Sequence, residues 1–274
     1  MPMQDNDKNV SLQGQLRLQV LELYYKANAG HIGCSLSCID LMIGSLLSEK
    51  KENEAFILSK GHAAAALYVC LHHTGEISDA QLDTFYKNGT TLSAHPAPRQ
   101  YKGIPFATGS LGHGLPIGTG IAHANKLLNN GEFVYVLMSD GETNEGTTWE
   151  AAHFATTNQL NNLIVLIDKN GLQGFGNTSD IMGDSANVQK WEAMGFEVVE
   201  IDGHDVNSIV STIQALKQSK STKPKAIIAN TIKGKGVSYM ENRMEWHYLP
   251  MSATLYEQAK DDVMRQYFIE EFVH

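Results

Sequence analysis

Cysteine is scarce in this chain: three among 274 residues, Cys34, Cys38 and Cys70. Three thiols cannot all pair with one another. A sparse, odd count excludes a disulfide-stapled secreted scaffold and fits a reducing compartment. The first ten residues, MPMQDNDKNV, carry no apolar stretch, so no secretory leader is expected. Long apolar runs are also missing. None approaches the ~18 residues of a membrane span, and the longest, such as 163–167, have the length of a buried strand. Positive charge is in deficit: 21 Lys and Arg stand against 30 Asp and Glu, a formal net charge of −9. That balance offers no basic face for nucleic acid. A cytoplasmic protein with neither a nucleic-acid nor a membrane partner is therefore expected. There is no fixed-period repeat and no low-complexity segment. The 42% hydrophobic and 19% charged composition is that of a globular chain rather than a disordered one. No linker divides the sequence, so a single domain over residues 1–274 is expected.

Apolar periodicity predicts helices over 12–27, 36–47 and 62–74. A Ser78–Gln81 capping box opens another helix that Gly89 would end. Residues 90–112 are rich in Gly, Pro, Ser and Thr, and a connection this long is expected to be functional. A helix over 115–128 follows. Strands at 55–59, 133–138, 163–167, 197–201 and 226–230 then alternate with helices at 147–159, 188–194 and 206–217, and the last helix runs over 253–272. Strand–helix alternation predicts an α/β fold, a mostly parallel sheet with helices on both faces.

In such sheets ligands bind beyond the carboxyl ends of the strands. Asp140 and Asn170 follow two strands predicted to be neighbours and lie thirty positions apart. Both offer hard oxygen donors of the kind Mg²⁺ takes beside phosphate oxygens. Gly141 and Gly171 would let the main chain approach a phosphate. Taken singly, either polar residue reads as a turn former or helix cap. Four histidines, His31, His62, His95 and His113, lie in Gly- or Pro-flanked segments. A lone loop histidine is usually solvated or structural, but imidazoles suit proton transfer near neutral pH. Cys34 and Cys38 share a helix face without a second ligand pair. They read as small core residues, not a zinc site.

An Asp-Gly pair followed about thirty residues later by Asn resembles the thiamine diphosphate fingerprint, with Ser139 in place of its first Gly and Lys169-Asn170 in place of a double Asn. The surrounding segments resemble transketolase in particular. They are AGHIGCSLSCIDLM (29–42), LSKGHAAAALY (58–68), LSAHPAP (92–98), ATGSLGHGLPIGTGIA (107–122) and SDGETNEGTTWEAAHFA (139–155). The likeness runs in order from about residue 12 to 250. It implies a thiamine-diphosphate-binding fold, with Mg²⁺ (or Ca²⁺ or Mn²⁺) held by Asp140, Asn170 and the main-chain carbonyl of Leu172. It implies that Gly141 contacts the diphosphate and that Gly109 and Leu111 pack on the aminopyrimidine. It places Glu145 beside the cofactor at a subunit interface, and has Asp168 orient a histidine. His62 and His247 match histidines near the diphosphate and thiazolium. His31, His95 and His247 match those lining the sugar channel. His113 stands where many members carry Gln. The loop 232–248, with Glu241, Asn242 and His247, would cover the cofactor.

The chemistry of this family also needs a carboxylate beside the aminopyrimidine. The family carries that glutamate in a second, pyrimidine-binding half that would begin where this sequence stops. The resemblance therefore implies the amino-terminal subunit of a split transketolase. A carboxy-terminal subunit would supply the glutamate, the cofactor would lie between the chains, and two of each would assemble into a heterotetramer. The expected activity is transfer of a two-carbon ketol unit from a ketose, such as a ketose phosphate of the pentose phosphate pathway, to an aldose. The alternatives are a transketolase for a modified sugar, half of an oxo-acid dehydrogenase or deoxyxylulose-phosphate synthase, and a catalytically silent half that stabilises its partner.

Overall fold

The computed structural model describes residues 5–98 and 101–268. Helix α1 (Asp5–Ala27) leads to α2 (Ile32–Met42), which continues into one wide π turn (Ile43–Leu47). Strand β1 (Ala55–Leu58) and a short 3-10 turn (Gly61–Ala63) precede α3 (Ala64–His73), α4 (Asp79–Leu82) and α5 (Gly114–Leu128). Then come β2 (Val134–Ser139), a second 3-10 turn (Gly141–Asn144), α6 (Gly146–Thr157) and β3 (Leu163–Lys169). A two-residue-per-strand hairpin, β4 (Leu172–Gln173) with β5 (Gly176–Asn177), is followed by α7 (Thr178–Met182) and α8 (Val188–Ala193). The chain finishes with β6 (Glu197–Asp202), α9 (Val206–Gln218), β7 (Lys225–Asn230), a 3-10 turn (Met244–His247) and α10 (Ala253–Tyr267).

Five strands form one sheet in the order β1-β2-β3-β7-β6, and every pairing is parallel. The central strands are apolar almost throughout because both faces are covered. Alternate side chains feed two cores. Tyr135, Leu137, Ile164, Leu166 and Ile227 pack with α1, α2, α3 and α9 through residues such as Leu16, Ile39, Tyr68 and Ile213. Val136, Met138, Val165, Ile167 and Ile228 pack with α5, α6 and α8 through Leu115, Ala122, Ala152 and Trp191. The expected α/β architecture is present. Among the described residues no helix is long and apolar enough to cross a membrane.

The differences lie at element ends and in the segment between β3 and α8. The second helix starts at Ile32, not 36, and its tail widens where the Ser48 hydroxyl donates to the Ile43 carbonyl at 2.7 Å, displacing the regular ladder. The helix opened by Ser78 has its capping box but ends at Leu82. There the chain folds back: Tyr86 takes a positive φ and its N–H donates to the Leu92 carbonyl. The last helix stops at Tyr267, and residues 269–272 of the expected span lie outside the described residues. The β4–β5 hairpin has no counterpart among the predicted elements, since strands of two residues have no periodicity to read.

Candidate active site

Strand register puts the chemistry at one edge. Leu58 pairs with Leu137, Ser139 with Asp168, and Lys169 with Asn230. The residues just beyond β1, β2, β3 and β7 are therefore neighbours: Ser59 to His62, Asp140, Asn170, and Thr231 to Lys233. A cavity of about 530 Å³ opens there. His31, His62, His95, Gly109, Leu111, Asp140, Gly141, Glu145, Asn170, Leu172 and His247 all line it. Asp168, Gly171, His113, Glu241 and Asn242, also singled out from the sequence, are not on the wall.

The histidines arrive from four segments. His31 precedes α2 in a left-handed conformation (φ 74°), and its N–H donates to the His247 carbonyl at 3.0 Å. Ring centroids lie 5.7 Å apart for His31–His62, 6.1 Å for His31–His95, 5.1 Å for His31–His247 and 5.6 Å for His62–His247. Burial, reinforced by the facing imidazoles His62, His247 and His95, pulls His31 down to about 4 against the influence of Cys34. Burial also lowers His62 and His95. At neutral pH these rings are uncharged, each presenting one N–H donor and one nitrogen acceptor. The loop carrying Leu111 runs directly over Gly61: a side chain there would put Cβ 2.6 Å from the Gly109 nitrogen. Gly109 itself takes φ +134°, and a Cβ on it would lie 2.7 Å from the His95 ring.

Asp140 is 2% exposed. Its carboxylate accepts from Gly141 N–H (2.8 Å), Gly171 N–H (2.7 Å) and the Thr178 hydroxyl (3.0 Å). Burial and the Asp168 charge push it up to about 6 against those donors. Two buried carboxylates at adjacent strand ends favour a nearby cation. No three His, Cys, Asp or Glu side chains among the described residues are grouped to hold an ion. A site here has to draw on the Asn170 amide and Leu172 carbonyl as well, and that all-oxygen set fits Mg²⁺ chemistry. Buried polar atoms of Asn144 and Gln173, both on the cavity wall, have no hydrogen-bond partner. They are donors and acceptors available to a polar ligand.

Asp168 needs a correction. It orients no histidine: its carboxylate accepts from Lys60, Thr231, Ser37 (2.6 Å) and Asn170 (3.4 Å). Burial alone would raise its pKa, but the Lys60 ammonium holds it below the ordinary value. Its role is to fix the end of β3 and the Asn170 amide. A buried carboxylate–histidine pair lies elsewhere, Asp40 with His204 (2.7 Å), and Arg17 completes that network. Glu241 holds its own loop through Gly236 N–H (3.0 Å), outside the cavity wall. His113 is exposed, lies off the cavity wall, and contacts the Leu111 carbonyl at 3.1 Å.

Sequence reasoning missed several participants. Cys34 reads as a core residue from its spacing; it is buried but lines the cavity, 3.6 Å from His247 Nδ1. Burial would raise its thiol, yet Lys233 and His62 bring it well below the ordinary range. Glu142 is fully buried and accepts from Ser59 and from Gly112 N–H (2.8 Å), tying the Asp140 turn to the Gly109 loop. Burial pushes it up to about 7 despite those donors. Lys60 and Lys233 are wholly buried. Their positions, two residues before His62 and near the start of the loop 232–248, were the available signal.

Residues 9–266 match the family described as transketolase, thiamine diphosphate binding domain, and the chain belongs to it. It is 38% identical over 256 residues to one subunit of the apulose-4-phosphate transketolase of Phocaeicola vulgatus, covering 90% of each chain. It is 34% identical over 273 residues to 6-deoxy-6-sulfo-D-fructose transketolase subunit SqwG of a Clostridium species, covering 95% of this chain and 99% of that one. The crystal structure of transketolase from Campylobacter jejuni superimposes with a TM-score of 0.84 at 31% identity, over 93% of this chain and 43% of that one. The chain thus matches the two subunits nearly end to end but spans less than half of that solved transketolase.

Proposed function

We propose that this chain is the diphosphate-binding, amino-terminal subunit of a two-chain transketolase that moves a two-carbon ketol unit from a ketose to an aldose. The observation that carries the reading is the cavity itself. An oxygen donor set from Asp140, Asn170 and Leu172 lies beside a cluster of four imidazoles at one sheet edge. Thiamine diphosphate, when bound, supplies the electron sink that lets a carbon–carbon bond beside a carbonyl be broken and remade. Asp140, Asn170 and the Leu172 carbonyl would hold the divalent metal, Mg²⁺ before Ca²⁺ or Mn²⁺. Gly141 would meet the diphosphate through its main chain, with His62 and His247 beside it, and Gly109 and Leu111 would line the other end. His31 and His95, neutral at working pH, would bind sugar hydroxyls and pass protons to and from sugar oxygens. Glu145 stands exposed on the rim, where a partner chain would close the cavity.

A partner carrying the catalytic glutamate is part of the proposal, as are a heterotetramer and a cytoplasmic setting. The naming of the matched relatives as subunits supports it. Their substrates, apulose 4-phosphate and 6-deoxy-6-sulfo-D-fructose, favour a modified sugar over the common pentose phosphates for this chain too. The test is ketol transfer by the complex assembled with its partner, across ketose phosphates, modified ketoses and pyruvate. Activity on ketoses with none on pyruvate is expected. Decarboxylation of pyruvate with no ketose activity would move the chain to another thiamine enzyme class.

A further inference from the structure

Lys233 is fully buried and its stem runs against α2. A Cβ on Gly33 would lie 3.2 Å from Lys233 Cγ, so the absence of a side chain there opens the lysine's path. At the end of that path Nζ donates to the Leu172 carbonyl at 3.2 Å and meets His247 Nδ1 at 2.9 Å. An ammonium has three protons to give and no lone pair to offer. The imidazole nitrogen facing it must therefore accept, and a neutral ring that accepts at Nδ1 carries its proton on Nε2. Cys34 Sγ approaches the same Nδ1 at 3.6 Å. One nitrogen cannot both accept from the lysine and donate to the thiol, and the shorter contact decides. The opposite ring nitrogen faces the β4–β5 hairpin, 3.6 Å from where a Cβ on Gly174 would stand, on the cavity wall.

We propose that Lys233 is a positioning residue that locks His247 in its Nε2–H tautomer, so that His247 meets the cavity as a hydrogen-bond donor. The same ammonium grips the Leu172 carbonyl, so the histidine and strand β4 are set relative to each other by one side chain. A donor at this place suits an anionic or hydroxyl oxygen of a ligand. That use rests on the cofactor-and-sugar reading above, whereas the tautomer does not.

The experiment is long-range proton–nitrogen NMR of the ¹⁵N-histidine-labelled chain, with and without its partner, His247 being assigned by its loss in His247→Gln. The expected spectrum shows His247 protonated at Nε2 with an acceptor-type Nδ1. In Lys233→Met, which keeps most of the buried stem, the Nδ1–H form is expected to gain population. A wild-type ring protonated at Nδ1 overturns the proposal without recourse to any variant. So does a Lys233→Met protein, shown folded by circular dichroism, whose His247 keeps the wild-type pattern. Failure of the assembled complex to bind thiamine diphosphate would overturn the functional reading and leave the tautomer result standing.

Discussion

Replacing Lys60 with Met should destabilise the chain by about 3 kcal/mol, and the reason lies in Asp168. Both side chains are fully buried and form an ion pair. Removing one partner of such a pair leaves an uncompensated charge and costs roughly 3–5 kcal/mol. The lower end applies here because Ser37, Thr231 and Asn170 still donate to the Asp168 carboxylate. Urea unfolding is the assay. At an m-value of about 3 kcal/mol per molar, a loss of about 3 kcal/mol moves the midpoint by about 1 M. The double variant Lys60→Met/Asp168→Asn removes the orphaned charge and should recover more than about 1 kcal/mol of that loss. The pH dependence follows from the directions of shift. Asp168 is lowered when folded, so its contribution is complete above the unfolded carboxyl value of about 3.9 and disappears as pH falls through the depressed folded value. The wild-type advantage over the double variant should therefore shrink in acid. A Lys60→Met loss under about 1 kcal/mol, or a double variant no better than the single, would refute the reasoning.

Other consequences are independent of that pair. Asp140→Asn, which removes the only carboxylate of the proposed metal set, should abolish divalent-dependent thiamine diphosphate binding in the assembled complex, read by calorimetry with and without a chelator. Glu142 is raised from 4.5 to about 7 when folded, so it costs stability as pH climbs between those values. A shift of that size is worth on the order of 3 kcal/mol. The metal-free chain should lose stability from pH 5 to 8, and Glu142→Gln should flatten the slope in denaturant titrations. His31 should titrate near 4 by NMR, with its ring unchanged between pH 6 and 8. Gly109→Ala forces a side chain into φ +134° against His95. The strain is about 1–3 kcal/mol, and it should weaken cofactor affinity in the complex while leaving the unfolding midpoint of the core nearly unchanged.

Much of the fold was legible because buried parallel strands announce themselves. Val134–Ser139 and Leu163–Lys169 are apolar runs of strand length flanked by helical periods. Their adjacency followed from the alternation, and with it the neighbourhood of Asp140 and Asn170. The histidines of the cavity were legible through motif resemblance, since no periodicity marks a loop. What sequence could not reveal was the third dimension of charge. The resemblance gives Asp168 a histidine neighbour, but the carboxylate faces Lys60, because which strand-end side chain turns inward depends on packing across β1 and α2. Cys34 looks like core from its helical spacing, but the first turn of α2 borders the cavity. Nothing local in the sequence singles out His204. It is mostly buried and joins the Asp40 carboxylate to the Ile232 N–H at 2.8 Å, fixing the start of the loop that carries Lys233. Contacts between residues 40 and 204, or 60 and 168, are long-range in sequence and leave no local pattern.

The cavity opens at the carboxyl edge of the sheet, and exposed Phe175 and Met182 lie on its rim. The central claim is that this chain forms one wall of a cofactor site that a second chain completes. Calorimetric titration of thiamine diphosphate with Mg²⁺, into this chain alone and into the complex with its co-purified partner, tests that claim most directly. Tight, metal-dependent binding by the complex and not by the lone chain is the predicted result. Equally tight binding by the lone chain would contradict the account, since it would mean that copies of this chain close the site among themselves.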